Sequence, residues 1–195
     1  MIAKLAKSTA CFFVKNKLVE AEDEEVYAYG MEILLSTVFN LLIAAGIAIA
    51  TNTFLPCLIH LTAFVTIRIY AGGYHANTHE GCMLTLIAVQ SLFVIIIKTV
   101  PFEMLKMCIP FMIIFSVVTI FRFAPVAHPN KPLSDSLKLK LRRKAYISML
   151  LWLVFTITFM IIGKCRISFY SAFGMFTVSM AMIAEMIALR RENRE

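Results

Sequence analysis

Charged residues are what this chain of 195 residues has least of. They make up 16% of it, against about a quarter in an ordinary soluble domain. With 60% hydrophobic residues and a mean hydropathy of +0.81, it has too little polar surface for a water-facing globule, and no room for a second, soluble domain. Cysteine is short as well. Cys11, Cys57, Cys82, Cys108 and Cys165 are odd in number and include no CxxC pair. Cys57 and Cys108 also lie inside apolar runs, which argues against a disulfide framework and against a structural zinc site. No internal repeat or low-complexity tract is present. The first 19 residues mix lysine with apolar residues and lack a small-residue cleavage pattern, so no signal peptide is expected. The formal net charge of +7 is not a nucleic-acid signal, because the basic residues fall between apolar runs rather than along one face.

What the chain does have is long apolar runs. Six reach roughly the 17 to 25 residues that cross a bilayer: Gly30 to Thr51, Phe54 to Tyr70, Cys82 to Val100, Met104 to Phe121, Ala145 to Gly163 and Ile167 to Leu189. The second is the shortest and carries Pro56, His60 and Arg68, so a kinked or re-entrant segment is the alternative to a full span there. Before them, Lys4, Lys7, Lys15 and Lys17 alternate with Ile2, Leu5, Phe12, Phe13 and Leu18, the pattern of a basic amphipathic helix in the membrane interface. An acidic cluster, Glu20 to Glu25, reads as a solvated turn. The expectation is an all-α polytopic membrane protein forming one domain over residues 1–195. Residues 1–28 are its interfacial and cytoplasmic lead-in.

Lysine and arginine set the expected orientation. With a cytoplasmic N-terminus, the inner segments hold 15 of the 19 basic residues, and only Lys98, Lys106, Lys164 and Arg166 fall outside. The positive-inside rule therefore puts both termini, and the loop from Tyr70 to Gly81, on the cytoplasmic side.

That loop belongs to the stretch Arg68 to Cys82, where histidine, cysteine, a carboxylate and paired glycines crowd together in an otherwise apolar chain. Cys82 stands where the polar loop gives way to an apolar run, hence near a helix N-terminus. There the exposed amides and the helix dipole favour a thiolate. His75 is seven residues earlier, about 10 Å away on a straight helix, whereas proton transfer needs about 3 Å. A Cys82/His75 nucleophile and base thus requires a bend, for which Asn77, Thr78 and Gly81 are suited, and Gly72 and Gly73 would let backbone approach a substrate closely. Residue types alone leave three readings open: this pair, a packed cysteine with an interfacial histidine, and a metal site from His75, His79 and Cys82. The third has suitable ligand types but departs from the His-Glu-x-x-His pattern.

The arrangement Arg68, Ala71-Gly72-Gly73, His75-Ala76, Thr78 and Cys82, with Ala124-Pro125-Val126, Asn130-Lys131-Pro132-Leu133 and the basic run Lys138 to Lys144, resembles the accessory gene regulator B (AgrB) family. Members of that family are bacterial membrane cysteine peptidases that mature quorum-sensing peptides. The likeness extends over essentially the whole chain. It implies that Cys82 attacks a carbonyl near the C-terminal end of a precursor peptide, with His75 as base and then acid. A cysteine or serine within the precursor then displaces the thioester as a thiolactone or lactone ring. It also implies a homodimer, no metal and no cofactor. Arg68, Gly72 and Gly73 are expected to shape the site or stabilise an oxyanion. Lys131, Lys138, Lys140, Arg142 and Arg143 are candidates for holding an acidic precursor tail, though the same charges also serve as a topology signal. Of the polar residues inside the spans, Asn40, His60, Gln90 and Glu185 are expected to face the bundle interior. For a third partner to orient His75, Glu80, Asn77 and His60 stay equal candidates. The rivals are a non-enzymatic exporter or scaffold and a zinc-dependent protease.

Overall fold

In the computed structural model, residues 2–16, 18–73, 79–126 and 134–192 are described. They form helices α1 (Ile2–Lys15), α2 (Glu24–Ala50), α3 (Phe54–Ala71), α4 (His79–Thr99), α5 (Phe102–Phe123), α6 (Asp135–Ile161) and α7 (Cys165–Glu192). α2, α3, α5, α6 and α7 are each long and apolar enough to cross a membrane. The apolar part of α4, Met83–Thr99, is shorter. At 1.5 Å per residue its 17 residues still cover about 25 Å, close to the thickness of a hydrocarbon core. The architecture is therefore the expected all-α polytopic membrane fold.

α3 is one uninterrupted helix of 18 residues rather than a broken or re-entrant segment. Pro56 lies in its first turn, where the amide it lacks would have had no helical partner. Two other helices begin earlier than hydropathy alone suggests. α2 starts at Glu24 after a 3-10 turn at Ala21–Asp23, so the end of the acidic cluster is helical, and its carboxylates suit the positive end of the helix dipole. α6 starts at Asp135, capped by Ser134 Oγ, which accepts from the Leu137 amide at 3.4 Å. At α6 a cap, and at α2 the acidic first turn without a side-chain cap bond, set boundaries that apolar content does not.

α1 packs along α2 through the small buried Ala6 and Ala10, while Leu5, Phe12, Lys4, Lys7 and Lys15 stay exposed. The rest of the molecule gathers around α7, which packs against α3, α5 and α6. Its inward stripe runs through Phe169, Ala172, Met175, Val178 and Met182, all buried. Close approach of α3 and α7 depends on Gly174: a Cβ there would sit 2.7 Å from both the Ala63 Cβ and the His60 carbonyl oxygen. Small residues at such crossings let transmembrane helices touch backbone to backbone. Buried polar groups then bond between helices, as lipid offers them nothing. Thr156 Oγ1 meets Ser171 Oγ at 2.8 Å, Ser168 donates to the Thr156 carbonyl at 3.0 Å, and Trp152 Nε1 donates to Thr66 Oγ1 at 2.8 Å. Outward faces carry Leu42, Leu58, Ile95, Phe111, Ile114 and Leu151, all exposed, as helices facing acyl chains require.

Three of the span residues singled out for their polarity are buried: His60, Gln90 and Glu185. Asn40 has its Oδ1 buried in a half-exposed side chain. His60 stacks on Phe93 at 4.4 Å between ring centres, and its Nδ1 and Nε2 lie 3.3 Å from Gln90 Oε1 and 3.5 Å from Thr177 Oγ1. Both ring nitrogens are thus engaged deep in the bundle. That geometry makes His60 a packed core histidine.

Candidate active site

The glycine pair is where two distant parts of the chain are tied together. α3 ends at Ala71, and Gly72 and Gly73 take φ of +76° and +135°, backbone that residues with a Cβ rarely adopt. Released from the helix, Ala71 offers its carbonyl to the amide of Val126 at 3.0 Å, and Gly72 pairs with Val126 in a parallel bridge. A Cβ on Gly72 would collide with the Val126 carbonyl oxygen. Gly73 lies against α7, where a Cβ would come within 3.5 Å of Ala181 and 3.6 Å of Met182. Among the described residues, the close approach these glycines permit is to the chain's own backbone.

The partner segment is fixed from α6. The end of α5 leads through Ala124, a cis Ala124–Pro125 bond and Val126. Arg142 Nε donates to the Ala124 carbonyl at 3.0 Å, and Tyr146 donates to the Phe121 carbonyl at 2.7 Å while stacking on the Phe121 ring at 4.3 Å. Lys144 Nζ sits 5.6 Å from the Tyr70 ring centre. The two segments that stood out in the sequence, one after α3 and one after α5, therefore meet at one end of the bundle. α7 supplies the floor.

Of the residues expected to serve the site, Arg68 lies in the last turn of α3 with its guanidinium 5.3 Å from the Phe64 ring centre, a cation–π position that keeps it against its own helix. Gly72 and Gly73 are placed as above. Cys82 is the fourth residue of α4, inside the first turn, as the approach of a thiol to a helix N-terminus requires. Its side chain, all of His75 and all of Lys131 lie outside the described residues, as do Asn77, Thr78 and the side chain of Glu80. The expected bend between His75 and Cys82 falls on that segment too. Gly73 itself is not helical, and α4 is described from His79 onward.

Register fixes the depth of Cys82. α3 and α4 touch through His60, Gln90 and Phe93 and run in opposite directions. Cys82 precedes Gln90 by as many residues as Arg68 follows His60, which at 1.5 Å per residue puts both about 12 Å from that contact. The thiol-bearing backbone and Arg68 thus share one level of the bundle.

Lys138, Lys140, Arg142, Arg143 and Lys144 are all exposed along the start of α6, but Arg142 also donates to the Ala124 carbonyl and Lys144 lies over the Tyr70 ring. Asp135, Lys138, Leu139 and Arg142 line a shallow hollow of about 250 Å³ beside the same loop. Among the described residues no three histidine, cysteine or carboxylate side chains gather as a metal ion needs; the His75, His79 and Cys82 side chains are not among them.

Sequence reasoning paired Gly72–Gly73 with a substrate but did not find Val126, Ala124 or α7 as their neighbours. No local pattern carries that information. Only Gly72, as a glycine too tightly placed for a Cβ, hints that some backbone comes close.

Comparison with known proteins bears on the same residues. The family model described as Accessory gene regulator B matches residues 6–189. An AgrB-like protein of Clostridium perfringens is 26% identical over 155 residues, covering 77% of this chain and 72% of its own. An AgrB-like protein of Listeria innocua is 31% identical over 134 residues, 67% of this chain and 65% of its own. Accessory gene regulator protein B of Staphylococcus aureus is 28% identical over 123 residues, 63% of each chain. No solved structure matches.

Proposed function

Since the chain belongs to the accessory gene regulator B family, we propose that it is a membrane cysteine endopeptidase that cuts the C-terminal tail from a pheromone precursor and closes the remaining peptide into a thiolactone or lactone. The observation that carries the reading is the tie between Ala71–Gly73 and Val126. It joins the end of α3, which precedes His75 and Cys82 in the chain, to the end of α5, which precedes the basic start of α6.

The chemistry follows from those residue types. The Cys82 thiolate, favoured by the N-terminal amides of α4, adds to the carbonyl of the scissile peptide bond. As the C–N bond breaks, His75 hands its proton to the departing tail amine, leaving an acyl thioester on Cys82. A thiol or hydroxyl within the precursor loses its proton to His75 and attacks that thioester. The ring forms and the Cys82 thiolate is regained. Thioester exchange is nearly balanced in free energy, whereas attack by water would discard the activated carbonyl. The site must therefore hold the peptide folded and exclude water.

Arg68, in the last turn of α3 before the glycine pair, is the residue we assign to the developing oxyanion. Lys138, Lys140 and Arg143, with Lys131 on the same loop, form the patch that would receive an acidic tail. The end that carries these groups also carries Arg122, Arg190 and Arg191, and the opposite end only Lys98, Lys106, Lys164 and Arg166. By the positive-inside rule the site faces the cytoplasm, along with both termini. A second copy of the chain is the expected partner, alongside the precursor and the bilayer.

The test is cleavage of a co-expressed precursor by Cys82→Ala and His75→Ala variants that reach the membrane at normal levels. Each should lose processing by at least about 10³-fold. Normal processing by either variant would overturn the assignment.

A further inference from the structure

α1 carries a charged face outside the candidate site. Lys4, Lys7, Ser8, Cys11 and Lys15 recur at the spacing of one helical stripe, and all are exposed. They line a shallow hollow of about 470 Å³ in which Glu24 is the only carboxylate. Leu5 and Phe12, on the adjoining face, are exposed apolar side chains. Helix register gives the depth of this stripe. α1 returns along α2, with Lys15 and Glu24 at the same end of the hairpin. Lys4 and Lys7 therefore lie about 16 and 12 Å back from that end, level with the turn of α2 from Glu32 to Leu35. α2 and α3 meet at the opposite end, where Ala50 is followed by Phe54. The 18 residues of α3, counted back along α2 from Ala50, reach Ile33, so the two lysines are level with the end of α3 and hence with the edge of the apolar span. Past that edge, Tyr27 and Tyr29 stand exposed on α2, as aromatic groups at headgroup depth do. Glu20, Glu22, Asp23 and Glu25 lie further out with Glu24, near Lys15. The hairpin is cationic where it meets the membrane surface and acidic away from it.

We propose that Lys4 and Lys7 clamp the phosphate of an anionic phospholipid. Their ammonium groups, on flexible stems, donate to the phosphate oxygens, and the Ser8 hydroxyl is a further donor. Leu5 and Phe12 lie against the acyl chains, which an acidic peptide would not supply. Lys15, set among carboxylates, takes no part. The site ties the N-terminal hairpin to the membrane surface and does not depend on the peptidase reading.

The experiment places the full chain in nanodiscs of phosphatidylcholine, with or without phosphatidylglycerol, as wild type, Lys4→Gln/Lys7→Gln, Lys4→Arg/Lys7→Arg and Lys15→Gln. Two readings are taken on folded protein. Native mass spectrometry gives the lipid retained, and a water-soluble maleimide gives the labelling rate of Cys11, read on the peptide that contains it. Wild type should retain phosphatidylglycerol in preference to phosphatidylcholine, and its Cys11 should react severalfold more slowly when phosphatidylglycerol is present. Lys4→Gln/Lys7→Gln should lose both effects, the preference falling by about fivefold for each lysine removed. Lys4→Arg/Lys7→Arg and Lys15→Gln should keep them. An unchanged preference in Lys4→Gln/Lys7→Gln would overturn the proposal, and so would an equal loss in Lys15→Gln, which is the mark of a diffuse surface potential. Protection of Cys11 in phosphatidylcholine alone by soluble glycerol phosphate would assign the hollow to a free phosphate, and protection by an acid-tailed peptide would assign it to a peptide. Either result overturns the lipid site.

Discussion

The chain turns back at both ends of the bundle, in two different ways. At one end its turns are local. Between α2 and α3, Thr51 Oγ1 bonds the Ile47 carbonyl at 2.6 Å and Thr53 N the Ala48 carbonyl at 2.8 Å; between α6 and α7, Gly163 N bonds the Met160 carbonyl at 3.2 Å. Each such turn completes its own hydrogen bonds within a few residues. At the other end the chain reaches across the fold: Ala71 to Val126, Arg142 to Ala124, Gly73 to α7. The polar and chemically able residues lie at this second end. A turn that only reverses direction needs no distant partner, whereas a site built from several segments must hold them in register.

Two glycines make the contrast testable. Gly72 and Gly163 both have positive φ, +76° and +82°, but Gly163 has nothing within 4 Å of where a Cβ would go, whereas Gly72 has the Val126 backbone. Gly72→Ala should have the largest effect: about 2–5 kcal/mol of stability from backbone strain and collision together, with loss of most precursor cleavage. Thermal unfolding in detergent and a cleavage assay read both; a fully active Gly72→Ala variant would break the comparison.

An intermediate effect is expected at Arg142. Removing its bond to the Ala124 carbonyl in Arg142→Ala should cost about 1 kcal/mol and lower kcat severalfold, because the loop loses its tether. Lys138→Ala, Lys140→Ala and Arg143→Ala should leave stability unchanged and raise KM for an acid-tailed precursor by up to about fivefold each, an effect that salt weakens. Steady-state kinetics at two salt concentrations separate the two sets. Equal behaviour of Arg142 and Arg143 would show that the tether does not matter.

The smallest effect belongs to Gly163→Ala. Strain alone should cost about 1 kcal/mol and leave cleavage per folded molecule unaltered. A drop in that rate would mean the two ends are coupled.

The fold was largely legible in the sequence, since apolar runs of bilayer length have few other uses, and five of the six became spanning helices by length and composition. The ends of those helices were less legible. Glu24 and Asp135 lie outside the apolar runs, and only the cap at Ser134 and the preference of acids for a helix start account for their helicity. The site was legible as a motif but not as an assembly. The arrangement of Gly72, His75 and Cys82 was recognisable as a family resemblance. That Gly72 needs Val126, or that Arg142 rather than Arg143 grips Ala124, depends on helix register and packing that no local pattern records. Pro56 and His60 made α3 look interruptible. In the fold the proline sits harmlessly in a first turn, and the histidine is bonded between Gln90 and Thr177.

The central claim is that this end of the bundle holds a nucleophilic Cys82. Its most direct test is mass spectrometry of the protein quenched in acid during turnover with a precursor whose internal cysteine or serine is changed to alanine, which blocks ring closure. The account predicts an adduct of the precursor lacking its tail, carried on the peptide that contains Cys82, released by hydroxylamine and absent from Cys82→Ala. Tail release without any adduct, or an adduct that survives loss of Cys82, would contradict it.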